Sequence, residues 1–372
     1  MAPSVTPLVV VFTFLTFSGF ASLHLFPALK TELFPVLASS LKDGASPDGI
    51  PMRKHFTGHH VADAILSALT SFFTAMLDGS DEGEATRWFT VWFLPQCSTV
   101  LAFWYWEAGR ARFSPLRSPL VFGLVAQLLG IGVGVPLVYL VHILTVPIPP
   151  TSQPRSAVVR AKTLLPAILL GLIAPSIVML FVPLPLHTKQ LVAAIWQPFP
   201  AFISIVHLVV RVLHPETWAT SQSTATKDAE KAFGTLRYTY YICAILSAAA
   251  HITVLLPSLL SSTQHLSFSN VFLPFYVSKS TSEVTYRHAA RLFLHHDFIS
   301  MAVSSFVFFG WSHYISRTTG PMATRPKVSF VEWVIKMVGI SLVASPGAAI
   351  AWAAIQREEQ VLVAVQTASK KN

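Results

Sequence analysis

In the stretch FWYWEAGR (103–110) a carboxylate, Glu107, follows Phe103, Trp104, Tyr105 and Trp106 at the close of a long apolar run. An acid beside aromatic faces suits a reaction that passes through a carbocation, because the acid starts it and the rings hold the positive charge. A bland reading stands beside this one: aromatics gather at membrane interfaces, where a Glu reaches water. On a helix Glu107 shares its face with Phe103, Trp104, Val100 and Cys97. A second acid, Asp63, opens a stripe with Ser67, Thr70, Thr74 and Asp78, and His59 and His60 extend it by a turn. Spacings of three and four keep that stripe on one helix face. A third acid, Asp297, follows His295 and His296. The stripe's hydroxyls suit interhelical hydrogen bonds as well as function, whereas a carboxylate is far costlier to hide and points to function. His295, His296 and Asp297 also fit the polar start of a helix. His142 and His251 fit core histidines whose hydrogen bonds are met, and Lys336 fits a pair with Glu332 one turn away.

These side chains stand out because their surroundings are so apolar. Of the 372 residues 53% are hydrophobic and 12% charged, and the mean hydropathy is +0.57, which excludes an ordinary soluble globular protein. The net charge of +9 comes from Lys and Arg scattered through connecting segments, so a nucleic-acid partner is not expected. Membrane lipid is. Cys97 and Cys243 fall inside apolar stretches and suggest neither a disulfide framework nor a thiolate metal site. No HxxxH or HExxH spacing occurs on any of the apolar spans, so no metal is expected.

Segments 7–27, 61–78, 88–107, 119–145, 163–184, 190–212, 237–259, 293–315 and 331–355 each approach the length of about 20 residues that a membrane helix needs. The fold class expected is all-α, a polytopic transmembrane helical bundle of about nine spans, with seven to nine as the range. The chain is read as one membrane domain over 1–372, with a polar loop at 28–60, a loop with an interfacial segment at 260–291, and a polar tail at 357–372. The first segment is read as a span and not as a cleaved signal peptide. Basic residues in the first and third loops, Arg112 and Arg117 among them, place the N-terminus in the lumen. Counting crossings then brings Asp63, Glu107, His251 and Asp297 to one leaflet. A single buried pocket is expected there, in which three carboxyl groups cannot all ionise and one keeps a proton to donate.

The motifs HFTGHHVAD (55–63), WEAGR (106–110), VPLVYLVHIL (135–144), LLPAILLGLIAPSIVML (164–180), WQPFP (196–200), AAAHITVLL (248–256) and LFLHHDFIS (292–300) occur in that order. Together they resemble the fungal integral-membrane terpene cyclases of meroterpenoid pathways, of the ascochlorin and ascofuranone type, with departures at His59, His60, His295 and His296. The resemblance implies cyclisation of a linear, often epoxidised prenyl chain attached to an aromatic or polyketide head. It implies no cofactor, a prenylated small-molecule substrate, an upstream prenyltransferase and epoxidase, and residence in the endoplasmic reticulum. Asp63, Glu107 and Asp297 become candidates for acid and base. Trp104, Tyr105, Trp106, Tyr139, His142, Trp196, Gln197, His251 and His296 become candidates for contacting substrate. No DxDD or DDxxD acid cluster is present, and DGSDE (78–82) reads as a solvated turn. The competing class is a transporter or receptor for a hydrophobic metabolite, in which buried carboxylates relay protons.

Overall fold

The computed structural model describes residues 6–25, 33–45, 49–77, 79–110, 118–146, 157–213, 225–273, 286–318 and 329–369; Asp78, Arg112 and Arg117 lie outside them. Among the described residues the regular structure is helical, with an isolated bridge between Ala45 and Pro51. In chain order the helices are α1 (Thr6–Phe20, extended by a π-turn to Leu25), α2 (Leu33–Asp43), α3 (His60–Thr74) and α4 (Asp81–Glu107). Next come α5 (Pro119–Leu129), α6 (Ile131–Thr145), α7 (Ala157–Ile168), α8 (Ala174–Phe181), α9 (Leu186–Trp196) and α10 (Phe199–Leu213). The last are α11 (Ala225–Leu260), α12 (Phe268–Phe272), α13 (Tyr286–Thr318), α14 (Phe330–Val343) and α15 (Pro346–Ser369).

Among the described residues four helical segments are long and apolar enough to cross a membrane: Thr6–Leu25, Ala157–Phe181, Lys227–Leu260 and Tyr286–Thr318. A fifth results if α9 and α10, bent by 57° at their junction, count as one span. The expected count of about nine is not reproduced, because continuous apolar runs break where the backbone turns. The run 119–145 divides at Gly130, whose φ of 93° lies in the left-handed region that favours glycine. The run 331–355 divides between Val343 and Pro346. In the other direction, the polar stretch from 357 continues α15 to Ser369, since Arg357, Glu358 and Gln360 are buried against the bundle.

Helix α4 lies at the centre, packed against α7, α11, α13 and α15. Pro95 stands inside it, and a proline has no N–H to donate to the preceding turn. Its own carbonyl accepts from Ser98 Oγ at 2.6 Å and Ser247 Oγ at 2.9 Å. The adjacent Gln96 Oε1 accepts from the Gly347 N–H at 2.7 Å. These bonds fasten α4 to α11 and α15 at mid-height. Further along, Phe103, Tyr139, Phe308 and Phe309 form an aromatic core, with Tyr139 and Phe308 stacked at 4.3 Å.

Gly130 also decides how α6 meets α13. A Cβ at Gly130 would come within 2.7 Å of Asp297 Oδ1, and one at Gly132 within 2.9 Å of the Asp297 carbonyl oxygen. Gly130→Ala is therefore expected to cost about 1–3 kcal/mol in strain, read as a lower thermal midpoint of the detergent-solubilised chain, and to displace the carboxyl it touches.

Candidate active site

Helix α6 starts without a cap from its own sequence, because Gly130 has no side chain to offer. The cap comes from α13. Asp297 Oδ1 accepts the Gly132 N–H at 2.6 Å, and one turn on, Ser300 Oγ donates to the Gly132 carbonyl at 2.5 Å. A carboxyl at a helix start meets unpaired N–H groups and the positive end of the helix dipole, so the position is fixed by backbone geometry. Asp297 is buried and forms part of the wall of a cavity of about 390 Å³. That volume suits a small organic ligand.

The cavity wall is otherwise apolar and rich in rings, including Phe72, Phe93, Trp104, Trp196, Phe199 and Phe293. Trp196 is held by its Nε1–H, which donates to Ser176 Oγ at 2.9 Å. Asp297 is the one carboxylate among the lining residues. A ring-lined chamber with a single acid can protonate a bound molecule and shelter a cation from water.

His24, one lone histidine in the apolar first segment, also lines this chamber. Its Nε2 lies 2.7 Å from the Leu129 carbonyl. A carbonyl accepts only, so Nε2 carries the hydrogen, and in the neutral ring Nδ1 keeps a free lone pair. Phe20 packs on the ring at 4.9 Å and Phe34 stacks at 6.3 Å. His24 and Asp297 thus grip the same break, one at Leu129 and the other at Gly132. Among the described residues no group of three His, Cys, Asp or Glu side chains could hold a metal ion.

The expected convergence of three carboxyl groups in one pocket does not occur. Asp63 lies in a separate hollow with Lys54, His55, His60 and Ser67. Its Oδ1 accepts from the Thr57 N–H at 2.7 Å, the Thr57 hydroxyl at 2.8 Å and the Phe56 N–H at 3.1 Å, and its Oδ2 accepts from the Gly58 N–H at 3.2 Å. The motif FTG with an Asp five residues beyond the Gly is thereby a loop folded around its own carboxylate, with Gly58 at a φ of 80°. The Thr57 N–H above all, with the Thr57 hydroxyl and the Phe56 and Gly58 N–H groups, holds the Asp63 carboxyl down to about 2. Such a group is ionised near neutral pH and is no proton donor. Its folded value lies below its ordinary 3.8, so its contribution to stability is complete above that value and is lost as pH falls through about 2. Asp63→Asn is expected to lower the thermal midpoint at pH 7 and to flatten the acid limb of the stability curve below pH 4.

Glu107 is buried too, but in an ion-pair cluster. Arg110 pairs with it one turn away. Arg357, from α15, donates Nη1–H to Glu107 Oε1 at 2.9 Å and Nη2–H to Oε2 at 3.2 Å. Glu358 completes the group, accepting from Arg110 Nη2 at 2.6 Å and Arg357 Nη1 at 2.9 Å. Two carboxylates therefore face two guanidinium groups, and the charges cancel. The Arg357 guanidinium also lies 5.2 Å from the Phe103 ring, and His142 Nε2 stands 3.7 Å from Glu107 Oε2.

Of the side chains expected to contact substrate, Trp104 and Trp196 line the chamber and Gln197 lines an adjoining groove. The others are occupied elsewhere. Tyr105 Oη donates to the Pro200 carbonyl at 2.8 Å, Trp106 lies under Arg110, and Tyr139 bonds Ser305 at 3.0 Å in the aromatic core. His251 accepts from Trp92 Nε1 at 2.9 Å and faces the Leu342 carbonyl at 3.2 Å. His296 is half-buried outside the chamber wall.

Over residues 8–362 the sequence matches the family model described as the CtvD domain. The chain belongs to the CtvD family. Its relatives include "Terpene cyclase ctvD" of Aspergillus terreus, 31% identical over 176 residues, which are 44% of this chain and 48% of the relative. Another is "Terpene cyclase DEP1" of Alternaria brassicicola, 22% identical over 338 residues, 85% of this chain and 89% of the relative. The match thus spans about half the length of the first and most of the second. No solved structure matches. Within the CtvD match fall His24, Asp63, Glu107 and Asp297 alike, so membership alone does not choose among them. Of these four, His24 and Asp297 stand at the chamber wall.

Proposed function

We propose that the protein is an integral-membrane terpene cyclase, resident in the endoplasmic reticulum, that cyclises the epoxidised prenyl chain of a meroterpenoid precursor. The observation that carries this reading is the buried Asp297, the single carboxyl among the residues that line a ring-rich chamber. Membership of the CtvD family and the printed names of its relatives support the same class. In the forward step the Asp297 O–H passes its proton to the epoxide oxygen, one C–O bond breaks, and an alkene π-pair forms the new C–C bond at the resulting cation. The rings of Trp104, Phe93 and Phe293 face the travelling charge. A C–H next to the final cation then loses its proton to His24 Nδ1, its electron pair closes a double bond, and the product is an isomer of the substrate. Nothing is oxidised or reduced, so no cofactor is needed. The reactions that supply the substrate are a prenyl transfer and an epoxidation.

Microsomes carrying the full chain, given an epoxy-farnesyl phenol and no added cofactor, are expected to yield a cyclic isomer of unchanged mass. A transporter or receptor would move or hold the compound unaltered, and recovery of only linear epoxide would reject the cyclase reading.

A further inference from the structure

Beside the chamber lies a second apolar hollow of about 590 Å³, formed by α3, α5, α9 and the start of α10. Leu69, Gln127 and Leu128 belong to the walls of both. The outer rim of the second hollow carries exposed apolar side chains, among them Ile65, Leu124 and Ile195. Exposed apolar side chains of this kind suit contact with lipid, the solvent from which a prenylated molecule would arrive.

The inner wall differs. Gln127 Nε2 donates to Gln197 Oε1 at 2.5 Å. Gln197 is 3% exposed, and its Nε2 has no hydrogen-bond partner. A buried amide N–H without an acceptor is as unfavourable as a broken hydrogen bond, and a purely hydrocarbon occupant would leave it so. An occupant with an oxygen at that depth would relieve it.

We infer that this groove holds the oxygen-bearing head of the same substrate whose isoprenoid chain fills the chamber, with Gln197 Nε2 donating to a phenol, hydroxyl or carbonyl oxygen. Gln127 is the positioning residue that turns the Gln197 amide. This rests on the cyclase reading for the identity of the substrate, though not for the existence of the site. The shared wall sets the order of the molecule: reactive terminus toward Asp297, head toward lipid.

Two photoreactive prenyl phenols test it on the full chain in detergent, one with a diazirine on the ring and one with a diazirine at the chain terminus. Peptide mapping is expected to place the ring label within 62–66 or on Leu191, Ile195, Pro198 or Phe202, which line the second hollow alone, and the chain label within 93–104 or 293–297. In steady state Gln197→Met is expected to raise KM for the phenol substrate about 3- to 10-fold with kcat held within twofold, and to leave a headless epoxy-isoprenoid unchanged. Leu124→Trp, which narrows the rim, should give the same split. Ring label inside the chamber, displacement of that label by phosphatidylcholine alone, or an equal KM shift for both substrates would overturn the proposal. If no substrate turns over, the cyclase reading fails while the labelling pattern still decides whether the groove takes the head.

Discussion

Asp297→Asn is expected to lower turnover by about 10²- to 10⁴-fold while KM changes little. Asparagine keeps a carbonyl oxygen to accept the Gly132 N–H, so the cap on α6 survives. What it removes is the acidic hydrogen. The comparison with Asp297→Ala separates the two roles: alanine loses both, so it should show the same loss of turnover plus a cap penalty of about 0.5–2 kcal/mol. The checks are product formation at matched protein levels and the thermal midpoint of each variant. An Asp297→Asn enzyme that turns over normally would leave the chamber without an acid.

The second large effect concerns stability. Arg357→Ala strips the buried Glu107 of the partner that binds both of its oxygens, and an uncompensated charge in this setting is expected to cost about 3–5 kcal/mol. Arg110 remains and faces both Glu107 and Glu358, so one guanidinium is left to two buried carboxylates. Glu107→Gln should lose less, because its amide oxygen still accepts from Arg357. Any Glu107→Gln protein that folds is expected to keep its kcat, since the side chain is engaged with two arginines and is not at the chamber wall. A joint Glu107→Met, Arg357→Met change removes both charges at once and should recover part of the loss, as paired removals of buried ions do. Thermal midpoints and kcat of the three variants check this. A Glu107→Gln enzyme that is fully folded and inert would return Glu107 to the chemistry.

Why was Asp297 legible in the sequence when its setting was not? A carboxylate in an apolar run announces itself by its desolvation cost, and that cost is the same whether a proton, a helix start or an arginine answers it. Asp297 is answered by the Gly132 N–H, Asp63 by three N–H groups and a hydroxyl, and Glu107 by two guanidinium groups. Arg357 could not be foreseen as the partner of Glu107, because residues from 357 onward read as a polar tail and the pairing joins positions 250 apart in sequence. Of the Asp63 stripe, Ser67, Thr70 and Thr74 are buried while His59 and His60 are exposed; Ser67 Oγ donates to the Lys54 carbonyl at 3.1 Å and Thr74 Oγ1 to the Thr70 carbonyl of its own helix at 2.8 Å. The helical class followed from composition, yet the number of spans did not, because apolar runs do not reveal a break such as that at Gly130. His24 was passed over as one polar residue in a hydrophobic segment. Its signal was that isolation, and its role depended on the Leu129 carbonyl brought beside it from α5.

The most direct measurement is the site of esterification when the full chain is incubated with an epoxy-isoprenoid whose chain lacks the alkene that would capture the cation. Once the epoxide is opened by proton transfer, the carboxylate that gave the proton stands beside the cation, and capture leaves a hydroxy ester that adds the full mass of the reagent to the peptide. Peptide mass spectrometry is expected to find that ester on Asp297, absent in Asp297→Asn. Modification of Glu107 or Asp63 with Asp297 untouched would contradict the account.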